Sequence, residues 1–476
     1  MNDKSLAGKT LVVDADGTLL ATDMLVECFW AALGKQPVAC LFVVARSFTK
    51  PAILKQRLAA LAGLNVGLLP RRPEVVAFIE QARRQGRHVI VASGSDQGLV
   101  KILSEAVGLG NDSMASDGQI NLTSTRKAAA LEKRFGKAGF DYIGDSRADI
   151  AVWKSADKAI VVAPSRRLTK SLATLGKPVE IIGKPMRWAD LLRAFRPHQW
   201  VKNVLLFLPL LAAHRTDLTG LLLVLWGIAA FSAAASSIYI VNDLLDLEAD
   251  RLHETKHRRP FASGAVSLMT GMFAGFCLGA FALLTAGLHS WQLAAIIAVY
   301  MALSLSYSLI LKRLRWVDVA VLAALYTLRV VAGSIAAGVA MSGWLAAFIF
   351  PIFLALGCVK RLVELGKAKD DNRLPGRGYA RTDRGDLLNI GITAAVGALI
   401  VYGLYTYSSI ALTLYSHPWE LRLAGVAVAF WLMRMIRRGW QGKMDYDPIV
   451  FALRDPLGLA FIATGGILLF NAAGVI

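Results

Sequence analysis

The sequence predicts a soluble, doubly wound α/β domain followed by an all-α domain that crosses a membrane several times. Hydrophobic residues make up 55% of the 476 residues, whereas soluble domains are typically about 45–50% apolar. Up to about residue 197 the apolar residues come in short runs. Beyond about residue 204 they come in runs of roughly 20, which are long enough to cross a bilayer core of about 30 Å.

The formal net charge of +19 limits the classes of partner. A nucleic-acid-binding protein would present such charge on a recognition helix or an RNA-binding module, and the sequence shows neither pattern. In a protein with many membrane spans, an excess of Lys and Arg in cytoplasmic loops accounts for the same charge. We therefore expect a membrane and anionic substrates as partners, and no nucleic acid.

Four short runs rich in Val and Ile in the N-terminal part are typical of buried strands in a parallel sheet. They cover residues 10–16, 88–94, 140–145 and 158–163, and helical patterns such as residues 74–85 lie between them. This alternation predicts a Rossmann-like α/β domain, in which active sites form at the carboxyl ends of the strands.

Polar side chains follow the predicted strands at those ends or lie between them. They are Asp14, Asp16, Ser93, Lys127, Asp145 and Asp149. Two carboxylates two positions apart, such as Asp14 and Asp16, can act on a phosphorus atom as nucleophile and as acid and base. A further carboxylate pair offers the hard oxygen ligands that Mg²⁺ prefers, and a hydroxyl and a lysine can neutralise phosphoryl oxygens.

This ordered set resembles the motifs of the haloacid dehalogenase superfamily of phosphatases. The resemblance implies that Asp14 forms an aspartyl-phosphate and that Asp16 protonates the leaving group. It implies that Ser93 and Lys127 hold the phosphoryl group. It also implies a Mg²⁺ site whose residues are Asp14, Asp16, Asp145 and Asp149.

The sequence also predicts how this domain begins and ends. We expect a phosphatase-like domain over residues 1–165, with a small helical cap near residues 21–72 that selects the substrate. Residues 166–195 are rich in basic residues and predict a linker that ends in a short amphipathic helix. Trp188 and Leu192 share its apolar face, so this helix either lies at the membrane interface or docks on the first domain.

Nine apolar segments within residues 196–476 predict the membrane domain. They are residues 200–214, 219–241, 266–287, 291–310, 317–338, 343–362, 387–407, 419–436 and 456–474. The loops after the even-numbered segments carry most of the Lys and Arg residues, and the positive-inside rule puts such loops in the cytoplasm. We expect a bacterial cytoplasmic membrane, with the N-terminal domain and both active sites on its cytoplasmic side.

The first charged loop carries an acidic stripe and then a basic run. Asp243, Asp246 and Asp250 recur at spacings of three and four, which puts them on one face of a helix. The basic run contains Lys256, Arg258 and Arg259. Charged groups at the end of a membrane span are costly in lipid and indicate function. Because carboxylates hold Mg²⁺ and cations hold phosphate oxygens, the loop predicts a magnesium–pyrophosphate site.

The run NDxxDxxxD from Asn242 to Asp250 resembles the signature of the UbiA prenyltransferase superfamily, which is built from nine helices around a central cavity. Tyr307, Lys312 and Arg313 resemble its YxxxxKR element. The resemblance implies that Asp243, Asp246 and Asp250 are catalytic residues that bind the metal. It also implies that Asn242, Tyr307 and Lys312 bind the substrate.

The sequence departs from the common pattern of that superfamily after the sixth span. Typical members carry a second DxxxD motif there, whereas this chain has Lys360-Arg361-Leu-Val-Glu364, with Asp370 and Asp371 further on. With the run HxxKxxRP from His253, these features resemble the polyprenyl-phosphate phosphoribosyltransferase branch. Lys202, Arg329, Lys360 and Arg361 are predicted to contact the ribose 5-phosphate or the lipid phosphate. Glu364, also predicted to belong to the substrate-binding set, would balance these cations.

The two resemblances imply one reaction sequence. The membrane domain would move 5-phosphoribose from phosphoribosyl pyrophosphate to a polyprenyl phosphate, and the phosphatase would remove the 5-phosphate to give polyprenyl-phosphoryl ribose, a cell-envelope arabinose precursor. Tethering favours this coupling, since short linkers raise the effective concentration toward the mM range. We expect Mg²⁺ in both domains, and a homo-oligomeric state stays open.

Two other functions fit the sequence. The membrane domain could instead join a prenyl diphosphate to an aromatic acceptor, with a phosphatase that serves a separate substrate. Alternatively, the phosphatase could act on soluble metabolites, with the helices as an anchor. The aspartate stripe disfavours the anchor hypothesis, because an anchor has no use for it.

Overall fold

The computed structural model describes residues 8–215, 217–367, 377–444 and 447–474. The chain divides into two compact units. The first contains Met1–Phe195 and Tyr239–Ala274, and the second contains Arg196–Ile238 and Gly275–Ile476.

The first unit contains a parallel sheet. Its strands are β1 Thr10–Val13, β2 Val89–Asp96, β3 Ser113–Ser116, β4 Phe140–Gly144, β5 Ala159–Val162 and β6 Val179–Ile182. In the described part of the chain, their order across the sheet is β3-β2-β1-β4-β5-β6. Val13 of β1 pairs with Val91 of β2 and Ile143 of β4, so the polar segments that follow these three strands begin at one edge of the sheet. The predicted α/β class is confirmed.

Helices flank the sheet and separate its strands. They are α1 Met24–Lys35, α2 Pro37–Ser47, α3 Pro51–Ala62, α4 Pro73–Arg84, α5 Gln97–Ala106, α6 Ser124–Phe135, α7 Ile150–Ser155, α8 Arg166–Leu172 and α9 Trp188–Ala194. Apolar side chains alternate along β1, so that Leu11 and Val13 join one buried cluster and Val12 joins another. Residues 166–195, predicted as a linker and an interfacial helix, contain α8, β6 and α9.

The remaining helices follow residue 196. They are α10 Leu208–Ala212, α11 Leu218–Leu245, α12 Leu247–Leu252, α13 Leu268–His289, α14 Trp291–Leu309, α15 Val317–Ala337, α16 Gly343–Gly366, α17 Arg384–Thr406, α18 Ser409–Leu414, α19 Pro418–Trp440, α20 Pro448–Ala452 and α21 Pro456–Ala472. The end of α11, all of α12 and the start of α13 belong to the first unit. This part of the first unit is called the aspartate segment below (Tyr239–Ala274).

Among the described residues, six helical segments are long and apolar enough to cross a membrane. They are Leu218–Leu245, Leu268–His289, Trp291–Leu309, Val317–Ala337, Gly343–Gly366 and Arg381–Thr406. The predicted total of nine spans is not confirmed. Predicted span 200–214 forms a 3-10 helix, Pro197–Phe207, and then the short α10. Helix α19 carries one Glu and four Arg residues, and α21 has 17 residues.

Candidate active sites

The first site lies where β1 and β4 end, and a buried lysine is at its centre. Lys127 Nζ donates hydrogen bonds of 2.9 Å to Asp14 Oδ1 and 2.9 Å to the hydroxyl of Tyr142. Tyr142 in turn donates a 2.8 Å hydrogen bond to Asp149. Burial raises the pKa of Asp14 well above its usual range, while the Lys127 charge opposes that rise. The lysine is therefore held against the carboxylate that the sequence predicts as the nucleophile.

Asp16 is oriented by three hydrogen bonds. Ser93 Oγ and Ser95 Oγ donate to its Oδ2 at 3.1 and 2.6 Å, and the backbone N–H of Met24 at the start of α1 donates to its Oδ1 at 2.8 Å. These contacts fix the carboxylate two residues beyond Asp14. The sequence predicts this carboxylate as the acid–base group that protonates the leaving group.

A group of carboxylates at this sheet edge fits a divalent cation. Asp14, Asp145 and Asp149 each offer an oxygen within 4.8 Å of the others. Burial, and then the nearby Asp149, raise the pKa of Asp145 to about 7. Because like charges so close together repel, a hard cation such as Mg²⁺ would relieve this repulsion. Asp16, which was also predicted as a metal ligand, lies outside this group and has both oxygens in hydrogen bonds.

The second set of predicted site residues lies in the aspartate segment. Arg259 Nη1 donates to Asp243 Oδ1 at 3.2 Å and to Asp250 Oδ2 at 2.6 Å. Both aspartates are buried, and burial raises the pKa of Asp250, which Arg259 opposes. Asp246 is the residue before α12, between the other two. The structure therefore brings Asp243 and Asp250 together around one guanidinium.

The spacing of the acidic side chains differs between the two sets. Among the described residues, the close grouping found at the sheet edge is not found for Asp243, Asp246 and Asp250. Next to them, Asn242 Oδ1 is buried and accepts no hydrogen bond from any described residue. A buried oxygen without a donor is costly and is also a suitable ligand for a cation. Lys256 and Arg258 lie on an exposed 3-10 helix.

The second unit holds a buried cluster that contains two predicted lysines. Lys202 Nζ donates a hydrogen bond to Asp447, and Lys360 Nζ lies 4.0 Å from the same carboxylate. The hydroxyl of Tyr326 donates to Asp447 at 3.4 Å. Two cations thus share one anion, which leaves this cluster with a positive charge in a buried position.

Arg329 lies deep in the second unit among aromatic rings. Its guanidinium carbon is 5.0–5.3 Å from the ring centres of Phe231, Tyr300 and Tyr326. Its Nε donates to Asn203 Oδ1 at 3.3 Å and its Nη2 to the Tyr300 hydroxyl at 3.1 Å. This enclosure differs from that of a lysine or arginine at the lipid headgroups, which keeps its charged end in water.

The segment from residue 360 to 364, where typical family members carry the second acidic motif, belongs to a cluster of ion pairs. Arg361 donates from Nε to Asp318 Oδ2 at 2.5 Å, from Nη2 to the Tyr307 hydroxyl at 2.6 Å, and from Nη1 to Glu364. Arg377 Nη1 donates to the Tyr307 hydroxyl at 2.9 Å. Glu364, the single acidic residue of α16, is therefore ion-paired with Arg361. Lys312 lies on the 3-10 helix Leu311–Arg313, and Asp370 and Asp371 lie outside the described residues.

Several residues in these clusters were not among the predicted site residues. Tyr142 and Ser95 complete the first site, Asn203 and Tyr326 line the buried cations, and Arg377 joins the last cluster. Ser95 follows Ser93 by two positions, so its side chain points to the same face of the strand. The spacing therefore could have predicted Ser95 as a site residue. Nothing in the sequence distinguishes Tyr142 from an ordinary strand residue.

Comparison with known proteins assigns both halves of the chain. The UbiA prenyltransferase family model matches residues 204–470, and the haloacid dehalogenase-like hydrolase model matches residues 11–154. A Sinorhizobium fredii protein, described as uncharacterized protein y4nM, is 36% identical over 94% of this chain and 87% of its own length. The nodulation protein NoeC of Azorhizobium caulinodans is 35% identical over 56% of this chain and 88% of its own length.

A third relative is named for an enzymatic activity. Decaprenyl-phosphate phosphoribosyltransferase of Mycobacterium tuberculosis is 32% identical over 58% of this chain and 93% of its own length. The apolar helices and the family match together make the chain a multi-pass membrane enzyme with a haloacid dehalogenase-like phosphatase domain at its N-terminus. The chain belongs to the UbiA prenyltransferase family.

Proposed function

We propose that the chain transfers 5-phosphoribose from phosphoribosyl pyrophosphate to a polyprenyl phosphate and then removes the 5-phosphate. In the first step the bond from ribose carbon one to pyrophosphate breaks, and a bond to the lipid phosphate oxygen forms. In the second step the 5-phosphate ester is hydrolysed. The product is polyprenyl-phosphoryl ribose, made at the cytoplasmic face of a bacterial inner membrane.

The observation that carries this proposal is the position of Arg259 between Asp243 and Asp250. Carboxylates bind the metal of a magnesium–pyrophosphate, and a guanidinium binds its oxygens. Asn242 precedes Asp243 in the sequence, and its buried Oδ1, which accepts no hydrogen bond from any described residue, could serve as a further ligand. Together these groups can hold the leaving group of a pentosyl transfer and stabilise the charge that develops on it.

The choice of phosphoribosyl pyrophosphate over a prenyl diphosphate is supported by the second half of the chain. A donor bound between two acidic motifs needs a second group of carboxylates at the end of α16, but Glu364 is the single acidic residue of that helix. The cations Lys202, Lys360 and Arg329 instead suit a substrate that carries additional phosphate groups. The similarity to decaprenyl-phosphate phosphoribosyltransferase of Mycobacterium tuberculosis supports the same choice of donor.

A long apolar acceptor is supported by a cavity in the second unit. The cavity has a volume of about 650 Å³ and is lined mainly by apolar side chains, including Phe348, Ile352, Val428 and Trp431. Ligand pockets of about 300–1,000 Å³ enclose molecules of drug size, so this cavity is large enough for several isoprene units. An aromatic acid would leave much of it unfilled.

A lipid-linked substrate for the phosphatase is supported by exposed apolar side chains on its surface. Val38, Phe42 and Phe48, on or directly after α2, are 61–81% exposed. Trp188 of α9 is 76% exposed. Exposed aromatic and aliphatic groups together are unusual on a soluble domain and fit contact with a membrane surface.

The proposal is tested by a choice between donors. Purified full-length protein in lipid nanodiscs receives Mg²⁺ with either labelled phosphoribosyl pyrophosphate and a polyprenyl phosphate, or a labelled prenyl diphosphate and an aromatic acid. We expect label to enter lipid only from the ribosyl donor. A labelled prenylated aromatic product, with no ribosylated lipid, would overturn the proposal.

A further inference from the structure

A buried ion pair joins α1 of the phosphatase domain to α12 of the aspartate segment. Arg251 donates from Nη2 to Glu27 Oε1 at 2.5 Å and from Nη1 to Glu27 Oε2 at 3.0 Å. The Arg251 side chain is 7% exposed and that of Glu27 is 2% exposed. Charged side chains this deeply buried are rare unless they are paired. The two-pronged geometry also fixes direction, because both carboxylate oxygens face the planar guanidinium.

Each partner of this pair is held by a further hydrogen bond. Arg251 Nε donates to the carbonyl oxygen of Ala262 at 3.2 Å, so the guanidinium joins α12 to the turn around Ala262 in the aspartate segment. The Thr22 hydroxyl donates to Glu27 Oε1 at 2.6 Å. Both side chains are thus held in one arrangement, as required of groups that transmit a position from one element to another.

The aspartate segment approaches the phosphatase domain at further points. Gly264 adopts a positive φ of 74°, and a Cβ atom there would lie 2.5 Å from the Cβ atom of Ala21. Only glycine allows this approach, because any larger residue would collide with Ala21. In a second ion pair, Nζ of Lys35, the last residue of α1, lies 3.6 Å from the carboxylate of Glu248 in α12, and both side chains are about half exposed.

Helix α1 connects this contact to the phosphatase site. The backbone N–H of Met24, at the first turn of α1, donates to Asp16. Glu27 follows three residues later, so it lies about one helical turn from that contact. On the other side, Arg251 directly follows Asp250, which Arg259 binds. One short chain of contacts therefore runs from the phosphatase carboxylates to the aspartates.

We infer that the Glu27–Arg251 pair positions the aspartate segment, so that the phosphatase domain supplies a positioning residue, Glu27, to the transferase reaction. This inference rests on the proposed function for its activity readout. Without the pair, α12 loses its only buried ionic contact with α1 among the described residues. Asp250 would then move relative to Asp243, and the grip on the pyrophosphate donor would weaken.

The experiment compares full-length variants in nanodiscs. Glu27→Gln removes the charge and keeps the shape, and Glu80→Gln, in an exposed pair with Arg84, is the matched control. We expect Glu27→Gln to increase hydrogen–deuterium exchange of residues 247–262 and to raise KM for phosphoribosyl pyrophosphate about 10- to 100-fold, the range seen when a supporting partner of a metal ligand is removed. Hydrolysis of a soluble phosphomonoester should be unchanged.

A charge swap, Glu27→Arg with Arg251→Glu, keeps the test valid if Glu27→Gln disturbs folding. Lower exchange and lower KM in the swap than in either single variant would support the inference. Unchanged exchange in Glu27→Gln relative to wild type would overturn it, whatever the substrate. Failure of the proposed function gives a different result. In that case wild-type protein would transfer no ribose, but the hydrogen–deuterium exchange of residues 247–262 would still be higher in Glu27→Gln than in wild type.

Discussion

Lys127 and Asp14 are 113 positions apart in the sequence and are joined by a 2.9 Å hydrogen bond in a buried part of the sheet edge. The lysine offsets the negative charge of the carboxylate that we propose attacks an anionic phosphoryl group. Without it, the attack would bring like charges together in a medium of low dielectric constant. This relationship makes Asp14 the best-supported nucleophile of the phosphatase domain.

Asp14→Asn should therefore abolish hydrolysis of a soluble chromogenic phosphomonoester, because the amide keeps the shape and lacks the nucleophilic oxygen. Asp16→Asn should slow hydrolysis by about 10²- to 10⁴-fold, the range for loss of an acid–base group. The matched control is Asp117→Asn, which alters an exposed carboxylate in the same domain. Wild-type turnover in Asp14→Asn would exclude this residue as the nucleophile.

Mg²⁺ binding to the phosphatase site should depend on pH. Burial and Asp149 raise the pKa of Asp145 to about 7, so metal-free protein still holds this proton below pH 7. Mg²⁺ must displace this proton, so its affinity should rise with pH up to about pH 7. Asp14, whose pKa is also raised by burial, adds to this dependence. Calorimetry in two buffers with different ionisation enthalpies should detect proton release at pH 6 (about one unit below that pKa) and less at pH 8.

Asp145→Asn should weaken Mg²⁺ binding and abolish the part of its pH dependence that comes from this group. Asp117→Asn should leave both unchanged. A Mg²⁺ affinity that is constant from about pH 6 to about pH 8 in wild-type protein would show that binding displaces no proton from Asp145.

The buried pair Arg361–Asp318 should be important for stability. Both side chains are fully buried, and Arg361 donates two hydrogen bonds to Asp318. Removing one partner of a buried pair typically costs about 3–5 kcal/mol, since it leaves an uncompensated charge. We expect Asp318→Ala to lower the melting temperature of the detergent-solubilised protein strongly.

The exposed pair Arg215–Asp217 is the comparison for this effect. Exposed pairs contribute about 0–1 kcal/mol, so Asp217→Asn, which keeps an oxygen for the Gly220 N–H, should leave the melting temperature nearly unchanged. Equal effects of the two substitutions would contradict the buried-pair argument.

The apolar cavity should accept the polyprenyl chain, and a larger side chain should block it. Gly466 lines the cavity, and a Cβ atom there would meet no atom within 4 Å. Gly466→Phe should raise KM for a long polyprenyl phosphate about tenfold, equivalent to about 1.4 kcal/mol. Gly397→Phe is the matched control, because that helical glycine also has open space and lies outside the cavity lining. Similar KM values for both variants would place the chain elsewhere.

The sequence is most informative where function depends on local spacing. Asp14 and Asp16 follow a buried strand, Asp243 lies in the last turn of an apolar helix and Asp250 lies just beyond that helix, so both pairs could be found without a structure. The contacts Lys202–Asp447 and Arg251–Glu27 join residues 245 and 224 positions apart. Such contacts leave no local pattern, because they depend on how distant elements pack.

The fold shows the same limit. Strand β3 is the sequence SMAS and lacks β-branched residues, so it escapes a search for apolar strands. Strand β6 lies in a stretch that reads as a basic linker. The predicted span 200–214 begins with polar residues, and the structure forms a 3-10 helix there instead of one long α-helix. In each case packing partners decided the local structure.

The central claim is that the aspartate segment binds the magnesium–pyrophosphate of the ribosyl donor. The most direct measurement is pyrophosphate release from phosphoribosyl pyrophosphate, with Mg²⁺ and polyprenyl phosphate, by wild type, Asp243→Asn and the control Asp217→Asn. We predict that release depends on the lipid acceptor and falls about 100-fold or more in Asp243→Asn. Asp217→Asn should match the wild type. Wild-type release by Asp243→Asn would contradict the claim.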